Sequence, residues 1–153
     1  MPMQRSLVLA FLVCAAVLWQ LPLSWSAGAQ SSAAPAYRVV VHGANPRTRL
    51  SRDFVASAFL RKTSRWPQGE VIRPVDQHND AAARQKFSQD VLRRSVAAVR
   101  IYWQQLIFSG RGLPPPELDS DHEVIRYVAR NAGAIGYVSG TADIGSVKVV
   151  SLD

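Results

Sequence analysis

The sequence predicts a small, layered α/β domain, on three observations. Short β-branched runs alternate with segments whose apolar residues recur at helical spacing, which is the pattern of sheet and helix packed in layers. Capping residues and glycine or proline breaks stand where those segments have to end. The strands are few and short in a chain of 153 residues, so the sheet and the domain around it are small.

The first 29 residues read as a secretory signal. Arg5 supplies one positive charge ahead of an apolar run from Leu7 to about Leu23, and Ser24-Trp25-Ser26-Ala27-Gly28-Ala29 follows as a small-residue stretch. Ala27 and Ala29 suit a signal peptidase pocket, which places cleavage after Ala29. The apolar run is also near the length that spans a bilayer, so an uncleaved anchor is the other reading. Gln20 and Pro22 favour the cleaved form. The sole cysteine, Cys14, lies inside the apolar run and follows Val13, which is too large for a lipid-attachment site. Cleavage leaves no thiol, which excludes disulfides, thiolate catalysis and cysteine metal sites together. Residues 30–36 are a short flexible lead-in, and 37–153 form one domain, enough for a real hydrophobic core.

Taken in order, Tyr37 to Val41 is a β-branched run ending at His42-Gly43, a buried strand. Asn45 to Arg49 is a turn. Ser51 caps a helix in which Asp53 meets the positive end of the dipole and Phe54, Val55, Ala58 and Phe59 face inward. Trp66-Pro67-Gln68-Gly69 breaks the chain before a second strand, Glu70 to Val75, and a polar loop, Asp76 to Asn79. Asn79 or Asp80 caps a helix with Ala83, Phe87 and Val91 inward. Ser95 caps another, with Val96, Val99, Trp103 and Leu106 on one face, and Gly110 to Pro116 ends it. Ser120 and Glu123 fit a capping box, Val124, Ile125 and Val128 face inward, and Gly133 stops that helix. Ala134 to Val138 and Val147 to Val150 are the last strands.

Chemistry-bearing residues are sparse. His42, His78 and His122 are not at metal-ligand spacing, and Asp119, Asp121, His122 and Glu123 read as an acidic, solvated helix start. No nucleophile elbow occurs, so no catalytic residue and no enzyme is expected, and no cofactor or metal. Without Arg5 the chain carries 17 basic against 11 acidic side chains, a net of +6, and arginine outnumbers lysine. That balance suits phosphate groups, acidic glycans or lipid headgroups, and in an exported protein nucleic acid is not expected. The basic residues form two groups. Arg47, Arg49, Arg52, Arg61, Lys62 and Arg65 surround the first helix; Arg84, Lys86, Arg93, Arg94 and Arg100 follow as a second solvated group. Trp66, Tyr102, Trp103 and Phe108 are expected in the core.

Three segments carry a resemblance: Phe59 to Gly69 (FLRKTSRWPQG), Trp103 to Gly110 (WQQLIFSG) and, most specifically, Val128 to Val138 (VARNAGAIGYV). From about Tyr37 to Leu152 the chain resembles the phosphate-type substrate-binding proteins of ABC transporters, of the type II periplasmic binding protein fold. The resemblance implies a layered α/β/α domain equal to one lobe, a periplasmic location, phosphate or another small anion as ligand and an ABC permease as partner. In that family a Gly-Ser-Gly-Thr stretch at a helix N-terminus surrounds the phosphate, with an arginine shortly before it. Counting back from Phe87, the four positions are Asp80, Ala81, Ala82 and Ala83, and the arginine falls on or near Gln77. Both hydroxyls are missing, so the resemblance implies a degenerate site, with Gln77, His78, Asn79 and the backbone N–H groups of Ala81, Ala82 and Ala83 as contacts. Ser139-Gly140-Thr141 spells part of the motif but follows a strand and reads as a loop. The rival expectation is an envelope interaction module working through the arginine-rich surface on an anionic partner.

Overall fold

The computed structural model describes residues 34–153. The expected signal, its cleavage point after Ala29 and Cys14 lie outside the described residues. Strand β1 (Tyr37–Val41) is the centre of the sheet, because its side chains are apolar on both faces: Val39 and Val41 enter one core and Val40 the other. β1 runs antiparallel to β6 (Ala134–Ser139) on one side and to β7 (Lys148–Leu152) on the other. The short strand β2 (Arg49–Leu50) pairs parallel with β7, and β3 (Arg73–Pro74) parallel with β6, giving the order β2-β7-β1-β6-β3. A separate parallel pair joins β4 (Asp76–Gln77) to β5 (Glu117–Leu118).

Helices cover both faces, so the layers are α/β/α. Helices α1 (Arg52–Phe59), α2 (Ala82–Phe87) and α3 (Val96–Phe108) bury Val55, Phe59, Phe87, Val99 and Trp103 against Val39, Val41, Ile135 and Tyr137. On the other face α4 (Asp121–Arg130) buries Val124 and Val128 against Val40 and Val138. Among the described residues both cores lie within one compact unit, Ala33–Asp153, which has the size and core of an independently folding domain.

The expected inward stripe Ala83, Phe87 and Val91 is buried, although α2 stops at Phe87. A π-turn over Ser88–Leu92 continues it and ends at Arg93 in the left-handed conformation, φ 53°. The wider turn keeps Val91 pointing inward. Gly133 stops α4 as expected, at φ 73°, where a side chain would strain the backbone.

Several expectations are corrected. Arg49, expected in a turn, and Asp76-Gln77, expected in a polar loop, lie in strands; the last two are buried at 4% exposure each. The strand expected over Glu70 to Val75 keeps a ladder only at Arg73–Pro74. Upstream, Val71 turns to bridge Arg65 across the Pro67-Gln68-Gly69 turn instead. Neither Asn79 nor Asp80 caps α2: the N-cap is Ala81, with no side-chain bond. Phe108, expected in the core, is 91% exposed, because it is the last residue of α3 and projects beyond the layer that Trp103 packs against. Arg84, expected on a solvated face, is buried.

Candidate functional site

The site grows out of a change of partner along one segment. Val75 N–H donates to Ile135 O at 2.9 Å, continuing β3 beside β6. Asp76 N–H then donates to Pro116 O at 2.9 Å and His78 N–H to Leu118 O at 3.0 Å, beside β5. The carboxyl ends of β4, β5 and β6 therefore meet in one place, which is where α/β sheets hold their ligands.

Two linked polar groups fill that place. In the first, the buried Asp76 carboxylate accepts from Arg84 Nη1 and from the Tyr137 hydroxyl, and from Gln77 N–H at 3.0 Å. Gln77 N–H also reaches the Tyr137 oxygen at 3.2 Å. A buried carboxylate is costly, and a paired guanidinium with further donors is what offsets the cost. Phe87 stacks on Tyr137 with centroids 4.0 Å apart. Burial pushes the Tyr137 phenol up to about 12, against the opposing pull of the Arg84 charge.

In the second group, both hydrogens of the Gln77 side-chain amide are spent. Nε2 donates to Asp121 Oδ1 at 2.7 Å and to Tyr137 O at 2.9 Å. Asp121 also accepts from Ser139 N–H at 3.0 Å and from the Ser139 hydroxyl. One carboxylate thus takes three donors from two strands.

The other expected contacts lie around the turn from β4 into α2. His78 is exposed, with Nδ1 3.6 Å from Asp80 Oδ2. Asn79 O accepts from Gln85 Nε2 at 2.9 Å, and Ala81 N–H donates to His78 O at 3.0 Å. Ala82 is exposed and Ala83 is buried in the core. The fold brings Gln77, His78, Asn79, Ala81, Ala82 and Ala83 to one turn, with the Gln77 amide hydrogens already engaged.

Sequence reading missed Asp76, Arg84, Tyr137 and Ser139 as parts of a network and took Asp121 for a solvated acid. Gln77 and Asp121 are 44 residues apart, and no local pattern joins them. The Ser120 cap holds, its Oγ accepting from Glu123 N–H at 3.3 Å, but the Glu123 carboxylate takes Asp119 N–H at 3.1 Å rather than that of Ser120. Beside α4 a surface recess of about 500 Å³ is bordered by Asp121, His122, Arg126, Ala142 and Asp143. Arg47, Arg49, Arg52, Arg61, Lys62 and Arg65 are all exposed, and Arg49 meets Asp153 at 3.5 Å. Among the described residues no group of three His, Cys, Asp or Glu is placed to hold a metal ion.

The chain has the fold of one lobe of the phosphate-binding periplasmic proteins. A putative phosphate ABC transporter substrate-binding protein with bound phosphate, from Clostridium perfringens, superposes with a TM-score of 0.60 at 20% identity, over 77% of this chain and 45% of that one. An ABC-type phosphate transport receptor from Vibrio cholerae gives 0.59 at 21%, over 76% and 46%, and PstS from Borrelia burgdorferi 0.58 at 11%, over 77% and 47%. The chain spans less than half the length of these proteins. No protein-family model and no curated protein matches it.

Proposed function

We propose that this chain is an exported, periplasmic solute-binding-like protein, related to the phosphate-binding components of ABC transporters and carrying a degenerate, weak site for a small anion. The observation that carries the reading is the superposition on one lobe of phosphate-binding proteins. Gln77, His78, Asn79 and the backbone N–H groups of Ala81, Ala82 and Ala83 border the site, and His78, Asn79 and the N–H groups of Ala82 and Ala83 are the contacts it offers. The weakness follows from side chains: Ala81, Ala82 and Ala83 offer no hydroxyl, Ala81 N–H is taken by His78 O, and the Gln77 amide hydrogens are occupied. Export is supported by the N-terminal charge, apolar run and Ala27-Gly28-Ala29. An ABC permease is the matching partner, and no catalysis is assigned.

Calorimetry of the chain from Gln30 onward with inorganic phosphate, at low and moderate salt, tests this. Weak saturable binding that fades as salt rises is expected, because an exposed site is screened. Tight binding would remove the word degenerate, and absence of any saturable heat would sink anion capture. That last result would favour the second reading, an envelope interaction module. It draws on the six exposed basic residues around α1, and predicts that charge reversal at Arg49, Arg52 and Arg61 abolishes capture of an anionic partner.

A further inference from the structure

We infer that the Asp121 carboxylate is a built-in anion, occupying the donors of Gln77 and Ser139 so that external oxyanions are kept off them. The inference rests on the reading of the chain as a solute-binding-like lobe, and it names what sets the selectivity of that lobe.

The donors converge as they would on a bound oxyanion. Gln77 Nε2–H and Ser139 N–H meet one oxygen of Asp121, at 2.7 and 3.0 Å, while the Ser139 hydroxyl meets the other. Two oxygens on one centre, each with lone pairs facing a donor, is what phosphate, sulfate or a solute carboxylate also presents. These donors are held by the frame rather than by Asp121 alone. Gln77 is 4% exposed and its second amide hydrogen is fixed on Tyr137 O, inside the Asp76–Arg84 network; Ser139 ends β6 in register with Tyr37 of β1. Removing the carboxylate leaves donors that are pre-aimed and open to an external acceptor, a costly condition for the buried Gln77 amide and a milder one for the half-buried Ser139.

Position and charge agree. The cluster lies at the carboxyl ends of β4 and β6, and Asp121 also borders the recess beside α4, so an ion has a way in from solvent. While Asp121 is present, a second anion at these donors would meet a like charge at contact distance. Arg126 on the same recess is 3.6 Å from Glu123, and Asp143 adds a further negative group, so the recess itself does not compensate. Asp121 also ties the first turn of α4 to β4 and β6. A purely structural tie predicts loss of stability on substitution and nothing else, whereas a built-in anion predicts that binding appears.

The test compares the chain from Gln30 onward with its Asp121→Ala and Asp121→Asn variants, titrated with inorganic phosphate and sulfate by calorimetry and followed by melting temperature. Asp121→Ala is expected to bind phosphate at least about tenfold more tightly than the parent. Its melting temperature should rise with phosphate concentration. Ser139→Ala in the same background, which removes one of the three donors, should reduce both effects. Asp121→Asn, which keeps the shape and loses the charge, should show a smaller gain. Folded variants with no gain in affinity overturn the inference and leave weak phosphate binding by the parent untouched. Failure of Asp121→Ala to fold even in phosphate also counts against it, since an external anion should take the place of the carboxylate. A parent that binds nothing beside an Asp121→Ala variant that binds would uphold the inference while removing anion capture from the natural chain.

Discussion

Tyr137 sits where three environments meet: the stacked ring of Phe87, the Asp76–Arg84 pair and the backbone of Gln77. Its hydroxyl has to stay protonated, because it donates to Asp76, and burial raises its pKa from 10.0 to about 12. A folded-state value above the unfolded one means that the stabilisation is fully present below pH 10 and is lost as pH rises toward 12. Two units correspond to about 3 kcal/mol. Urea unfolding measured across the alkaline range should show that loss, and Tyr137→Phe should remove it. The variant should also cost about 1–2 kcal/mol at neutral pH, through the donor that Asp76 loses. A Tyr137→Phe chain as alkali-sensitive as the parent would place the sensitivity elsewhere. Little of this was legible in the sequence. Arg84 looks like any helix-surface arginine until Asp76, eight residues back, is found buried beside it, and Asp76 itself lies in a segment too polar to read as a strand.

At the scale of elements, legibility followed length and local chemistry. The caps at Ser51, Ser95 and Ser120 were readable because each hydroxyl bonds a backbone N–H only three residues on, at 3.2, 3.2 and 3.3 Å. Strands β2, β4 and β5 have two residues each, too few for an alternating pattern, and they exist only through pairing with distant segments. At Gly136, within the segment that most specifically carried the resemblance, α4 and the β3–β4 segment approach β6 closely. A Cβ there would lie 2.8 Å from Val124 Cγ1 and 2.9 Å from Val75 Cγ1. Neither valine can yield freely, since both are fully buried. Gly136→Ala should therefore cost about 1–3 kcal/mol by overpacking, read as a drop in urea midpoint without a change in slope. Pairing it with Val124→Ala should return part of the loss by opening the space the methyl needs. An unchanged midpoint for the single variant would mean that α4 shifts away from β6 at no cost.

For the whole molecule, the resemblance read from three short segments reached the fold and stopped at the ligand, because glycines and apolar spacing set backbone geometry whereas a ligand is held by individual polar side chains that those segments do not specify. Spanning less than half the length of the proteins it superposes on raises the question of whether such a lobe is one cooperative unit. The layering answers it physically. β1 gives Val39 and Val41 to one core and Val40 to the other, and β6 gives Ile135 and Tyr137 to the first and Val138 to the second. Neither face can open without exposing the back of the same strands, so the two cores should melt together. Only Trp66 and Trp103 remain in the chain from Gln30 onward, and both lie in the core on the α1 to α3 side, whereas far-UV circular dichroism also sees α4 on the other. Tryptophan fluorescence and circular dichroism should give coincident urea transitions. A separate, earlier loss of helical signal would mean that α4 unfolds on its own from the β1–β6 sheet, taking Asp121 away from Gln77 and Ser139 before the rest of the lobe is lost.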